Sequence, residues 1–169
     1  MNNTTFDEVK DKFYSLIVTG EVLPEALVDE WLDSAIGEYE LEVSELSYEE
    51  YEDIDETPIV SNSSEENMGI ENDSNLPDNT DITINKIIKK RFTTRLSSAQ
   101  KSLLGRYMQR EFITRELSRF SKVTGIDSKD EKVSGLQATK ITLRAELTFA
   151  ETAIAELVSK LKELAENGK

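Results

Sequence analysis

Apolar residues recur along this chain mainly at helical spacing. Phe6, Val9, Phe13, Leu16 and Ile17 sit three or four positions apart, which predicts a short helix over about residues 6–18. Thr5 and Glu8 frame its start as a capping box, hydroxyl to an early N–H and carboxylate back to the cap. Gly20 supplies a stop. A broader stripe of Leu27, Val28, Trp31, Leu32, Ala35, Ile36 and Tyr39 predicts a second helix over about 24–43. Pro24 suits its first position, and Asp29, Glu30, Asp33 and Glu38 hold the other face. Gly37 weakens it by roughly 1 kcal/mol relative to Ala. Leu103, Leu104, Tyr107, Met108, Phe112, Ile113, Leu117 and Phe120 predict a third helix over about 97–122, opened by a second capping box, Ser97 with Gln100. In the last segment Leu143, Leu147, Ala150, Ile154, Leu157, Leu161 and Leu164 step by four and three. That heptad-like seam predicts a long helix over about 136–166, stopped at Asn167-Gly168 and packed on another helix.

The middle lacks such periodicity. Residues 44–81 are dominated by Asp, Glu, Asn and Ser and contain two of the three prolines. So little apolar area offsets the entropy of ordering poorly, which predicts a long acidic loop or arm. Tyr48, Tyr51, Ile54, Ile59 and Val60 are its candidates for docking on a partner. Residues 82–95 are rich in Ile, Thr and Lys. Ile82 and Ile84 alternate with polar residues, so one or two short strands fit, although Ile87-Ile88 breaks the period. The expected fold is mainly α: a small bundle of about four helices with a long acidic arm and room for a short β-hairpin before the third helix. It divides as 1–43, a helical pair; 44–96, the arm; and 97–169, a helical hairpin, all in one domain. The expected core includes Leu27, Trp31, Ile36, Leu104, Met108, Leu117, Leu147, Ile154 and Leu161.

Charge divides the chain differently. Its 169 residues carry a net −14, which argues against a general nucleic-acid coat or an anionic-membrane binder. The total conceals blocks. Residues 13–85 hold 21 acidic side chains and no Lys or Arg, whereas residues 86–122 carry eleven basic and two acidic ones. Residues 123–169 nearly balance. There is no Cys and no His, which removes disulfides, thiol nucleophiles, Cys/His zinc sites and imidazole-dependent triads. No signal-peptide-like run opens the sequence and no long apolar stretch occurs, so a cytoplasmic origin without membrane contact is expected.

Candidate chemistry is sparse. Neither phosphate-loop nor dinucleotide glycine patterns appear, nor does a G-x-S-x-G elbow. Glu49, Glu50, Glu52, Asp53, Asp55 and Glu56 offer paired carboxylates, but the composition fits a solvated acidic loop. The run from Asp73 to Asp81 places Pro77 and Asp78 where a calcium loop wants a ligand and its Gly. No cofactor is implied and no enzyme is expected. The basic block has three readings: phosphate contacts, the solvated side of a helix that neutralises the chain's own acidic arm, or a surface for the acidic block of an adjacent subunit. Trp31 fits the core better than a ligand platform.

The order of a short acidic helix, then LPEALVDEWLDSAIGEYELEV, then LLGRYMQREFITRELSRFSKVTGI, then a long Leu-rich helix resembles the head–tail adaptor (connector) proteins of long-tailed bacteriophages. Its most telling stretch is R-x-F-x-x-R-E-L-S-R-F-x-K, from Arg110 to Lys122. The resemblance spans about 6–43 and 97–166; residues 44–96 are longer and more acidic than the family's usual connection. It implies a non-enzymatic virion protein of the neck, assembled in the host bacterial cytoplasm. Such proteins form a ring, typically dodecameric, docked under the portal protein. They join it to a stopper or tail-completion protein around the channel through which DNA passes.

Two expectations about sites follow. Arg106, Arg110, Arg115, Arg119 and Lys122 would meet a neighbouring subunit or the portal. Glu38, Glu42, Glu45, Glu49, Glu50, Glu52, Asp53 and Glu56 would face the channel or its rim and repel the duplex. The competing reading is a small acidic helical regulator, DNA-mimic-like, that binds one basic partner.

Overall fold

The structure, a computed structural model, describes residues 3–17, 22–55, 85–124 and 133–167. Four helices and two strands follow in the order α1 (Phe6–Tyr14), α2 (Glu25–Glu42), β1 (Tyr48–Asp55), β2 (Asn85–Phe92), α3 (Ser98–Thr124) and α4 (Val133–Asn167). The protein is therefore mainly helical with a small two-stranded antiparallel sheet. It falls into two compact units: Met1–Glu49 with Lys90–Lys169, and Glu50–Lys89.

Both capping boxes form. Thr5 Oγ1 accepts from the Glu8 N–H at 3.3 Å and Glu8 Oε1 accepts from the Thr5 N–H at 3.4 Å. Ser97 Oγ accepts from the Gln100 N–H at 3.2 Å and Gln100 Oε1 from the Ser97 N–H at 2.9 Å. Pro24 sits one position earlier than the sequence suggests. Its ψ of 130° is extended, so it is the N-cap of α2, and its carbonyl accepts from Leu27 and Val28.

The acidic segment is less irregular than its composition suggests, because its first residues form β1. The reason lies in its partner strand. Glu49 pairs with Arg91 at 2.8 Å and Asp53 with Lys89 at 2.7 Å, so an acidic strand is matched by a basic one. β2 also gathers the start of the chain. The consecutive N–H groups of Phe92 and Thr93 donate to Thr4 O and Ser47 O, at 2.8 and 2.9 Å. Successive N–H groups of a strand point to opposite edges, so Thr4 and Ser47 lie on either side of β2.

The core lies in the first unit. α1 runs alongside α3 in the same direction: Glu8 bonds Lys101 and Leu16 bonds Gln109, both 93 positions apart. At their closest approach stands Gly105, where an added Cβ would lie 3.3 Å from Lys12 Cγ and 3.4 Å from the Phe13 N atom. α2 crosses α3 in the opposite sense, from Glu42 beside Tyr107 to Trp31 beside Phe112. α4 returns antiparallel along α3: Ala153 and Leu157 line one groove with Ser102 and Arg106, and Thr142 to Phe149 line another with Gln109 to Phe120. Val9, Phe13, Leu32, Leu103, Leu104, Tyr107, Met108 and Phe92 are fully buried among these elements. Phe13, Trp31 and Phe112 form an edge-to-face aromatic triad with centroids 5.8 to 6.4 Å apart.

Of the expected core, Trp31, Ile36, Leu104, Met108, Ile154 and Leu161 are buried, and Leu27 packs partly buried against them. Leu117 and Leu147 are corrections: both are only half-buried and lie outside the core cluster. Leu164, at the far end of the seam, is 58% exposed because α4 overhangs the start of α3. Gly20, Ile59, Val60, Ile82, Ile84 and Gly168 lie outside the described residues.

Candidate assembly surfaces

The residues expected to form interfaces divide into those engaged within the chain and those at its surface. The densest cluster joins α2 to α3, one helical turn apart on each. Arg110 Nη2 bonds Glu38 Oε1 and lies 3.5 Å from Glu111 Oε1, and its guanidinium stacks 5.6 Å from the centre of the Tyr107 ring. The Tyr107 hydroxyl donates to Glu42 Oε2 at 2.7 Å. Burial pushes the Tyr107 phenol well above its usual range, and the carboxylates Glu42 and Glu38 add to that shift. Burial opposes the charge on Arg110, but Glu38 and Glu111 outweigh it and hold the guanidinium above its ordinary value.

Other opposite charges meet inside the same unit. Lys101 Nζ bonds Glu8 Oε2 at 2.9 Å, which holds the Glu8 carboxyl below its usual range. Lys10 reaches Asp29 at 2.5 Å and Glu25 at 3.7 Å. Desolvation disfavours its ammonium, yet Asp29, with Asp7 and Glu25, raises it overall. Arg106 donates to Gln109 Oε1 at 2.8 Å, and Gln109 Nε2 donates to the Leu16 carbonyl at 3.0 Å, which closes the end of α1 onto α3. Arg115 lies over Trp31 at 5.9 Å.

Much of the basic block thus neutralises carboxylates of its own chain. Arg110 with Glu38, Tyr107 with Glu42, Arg91 with Glu49 and Lys89 with Asp53 take up four of the acids expected at a channel wall. Glu45, Glu50 and Glu52 are exposed; Glu56 lies outside the described residues. Arg119 pairs locally with Glu116 at 2.9 Å and, like Lys122, is exposed. Of the five expected interface cations, Arg119 and Lys122, near the end of α3, are exposed.

The structure adds surfaces that the sequence reading did not single out. A groove of about 810 Å³ opens between α3 and α4 at the end of α1. Leu16, Ile17, Phe112, Phe120, Leu143 and Phe149 line it, with Glu116 and Glu146 among its polar residues. Ile141 and Phe149 on α4 are 68% and 63% exposed, and Leu41 on α2 is 88% exposed. All three lie off the apolar stripes of their helices, which is the one signal by which the sequence marks them. Among the described residues no group of acidic side chains is arranged to hold a metal ion, and no helix is long and apolar enough to cross a membrane.

Comparison of the chain with protein-family models, curated proteins and solved structures gave no match.

Proposed function

We propose that this protein is a structural subunit of a bacteriophage neck. In this reading it is a head–tail adaptor that assembles into a ring under the portal and links it to a stopper or tail-completion protein. The observation that carries the reading is the α3–α4 hairpin. It leaves Ile141 and Phe149 exposed, and Phe149 lines an apolar groove between its two helices. A hairpin of that kind suits a part whose remaining burial comes from neighbours. In this reading the exposed Arg119, paired with Glu116 on its own helix, and Lys122 meet the portal or an adjacent copy. The exposed Glu45, Glu50 and Glu52 would keep DNA phosphates from binding as the genome passes. No cofactor is needed for this role.

A second reading has an observation of its own. With its basic block largely engaged internally, the protein presents an outer α2 surface carrying Glu30, Asp33 and Glu40 without any Lys or Arg. That surface suits an acidic regulatory module binding one basic partner.

Negative-stain imaging of the purified protein mixed with its cognate portal decides between them. The adaptor reading expects rings seated on the portal, and the protein in purified virions at ring copy number. Protein that leaves portals bare and is absent from particles overturns it.

A further inference from the structure

We propose that the outward face of α2 in one copy seats the outward face of α4 in the next, the two helices antiparallel, with Ile141 over Gly37. The inference rests on the ring reading and supplies its subunit contact.

The two faces are built alike. On α2, Glu30, Ser34, Gly37 and Leu41 lie opposite the buried Leu32, Ala35 and Tyr39, and all four are exposed. On α4, Ile141, Ala145, Thr148, Thr152 and Ala155 lie opposite the buried Ala150, Ile154 and Leu161, and all five are exposed. An amphipathic helix ordinarily charges its solvent face. Here no charge occupies that row of α4 over four turns, and Thr148 and Thr152 donate their hydroxyls to carbonyls of their own helix at 3.0 and 2.9 Å. Gly37 stands in open space, with nothing within 4 Å of an added Cβ. It is the one place on the face of α2 where a large side chain such as Ile141 finds room for close approach.

Charge sets direction and register. The acids Asp33 and Glu40 lie on one flank of the α2 face, and the bases Lys140 and Arg144 on one flank of the α4 face. Antiparallel docking brings these two flanks to the same side, whereas parallel docking puts them on opposite sides. With Ile141 over Gly37, each step forward on α4 is a step back on α2. Arg144 then comes against Asp33, Lys140 against Glu40, and Phe149 reaches Leu27. The like-charge approach of Glu151 towards Asp29 is relieved in advance because Asp29 already holds Lys10 at 2.5 Å, and Glu30 comes against Thr148. Different surfaces meet at this contact, so each copy keeps one of each free. It therefore propagates from subunit to subunit until the turn closes.

The chain has no Cys, so introduced thiols report the contact alone. Gly37→Cys and Ile141→Cys chains are purified separately, mixed in equal amounts and oxidised, while mass photometry follows assembly of the unmodified protein. The proposal expects the mixed disulfide to exceed either homodimer about tenfold, because only it brings the two Cα atoms within bonding range. Asp33→Arg in the Gly37→Cys chain should cut that yield several-fold, and Arg144→Asp in its partner should restore it. Assembly without an excess of the mixed disulfide overturns this contact and leaves the ring reading standing. The mixed disulfide in open filaments, with no closed species, upholds the contact and overturns the ring. Neither assembly nor an excess overturns both.

Discussion

Arg110 of α3 bonds Glu38 of α2 across the helix interface and rests over the ring of Tyr107. The arginine at the start of the R-x-F-x-x-R-E-L-S-R-F-x-K run is thus part of the fold. Charge reversal there is expected to lower stability before it alters any assembly. Both partners are about one-quarter exposed, 27% each. Glu38→Ala should therefore cost about 1–2 kcal/mol, between the values for exposed and buried pairs. Urea unfolding followed by Trp31 fluorescence measures it. An Arg110→Glu, Glu38→Arg exchange should recover part of the loss.

Tyr107 makes stability sensitive to alkali. Its phenol titrates higher in the folded protein than in the unfolded chain. The stabilisation it gives is complete below the unfolded value of about 10 and declines as pH rises beyond it. Tyr107→Phe should cost roughly 1 kcal/mol at neutral pH through the lost hydrogen bond to Glu42. It should also flatten the alkaline decline of thermal stability between about pH 10 and 11.

Glu8 acts at the other end of the scale. Its carboxyl is held low by Lys101 and by the Thr5 N–H, against the effect of burial. Its contribution is present above the unfolded value of about 4.3 and is lost as pH falls through the lower folded value. Glu8 is nearly half exposed, so Glu8→Gln should cost no more than about 0.5 kcal/mol at pH 7. In denaturant titrations the difference from the parent protein should shrink progressively as pH falls below about 4.3.

Gly105 sets how close α1 lies to α3. A side chain larger than Ala there must displace Lys12, Leu16 or the backbone at Phe13. Gly105→Leu should destabilise by about 1–3 kcal/mol, as overpacking does. Amide exchange should show the loss concentrated in α1, with α4 protected as before.

The helices were legible because each buries one face at constant spacing, and both N-terminal boxes are written in adjacent residues. β1 was not legible from YEEYEDID by itself. What makes it a strand is the opposite charge of β2, which lies more than thirty positions away. The seam of α4 predicts more burial than Leu147 and Leu164 have, for a related reason. Periodicity reports which face is apolar, but the elements packed against it decide how much of that face is covered. The arginines of α3 illustrate the same limit at the candidate site. Their spacing marked them as a group, and only the position of α2 separated Arg110 and Arg115, which it engages, from Arg119, which it does not reach.

The shared offset of α1 and α3 has a kinetic meaning. Nine residues make too short a helix to persist in water alone. Apart from α2, which meets Lys10 and Phe13, the groups that hold the α1 segment, Leu96, Lys101 and Gln109, follow their partners by more than ninety positions. During synthesis the apolar side of α1 therefore waits for roughly 5–20 s before α3 has left the ribosome. The unit cannot close in order of emergence. Its first segment is among the last to be sealed, and closing that long loop is expected to limit the rate at which the chain folds.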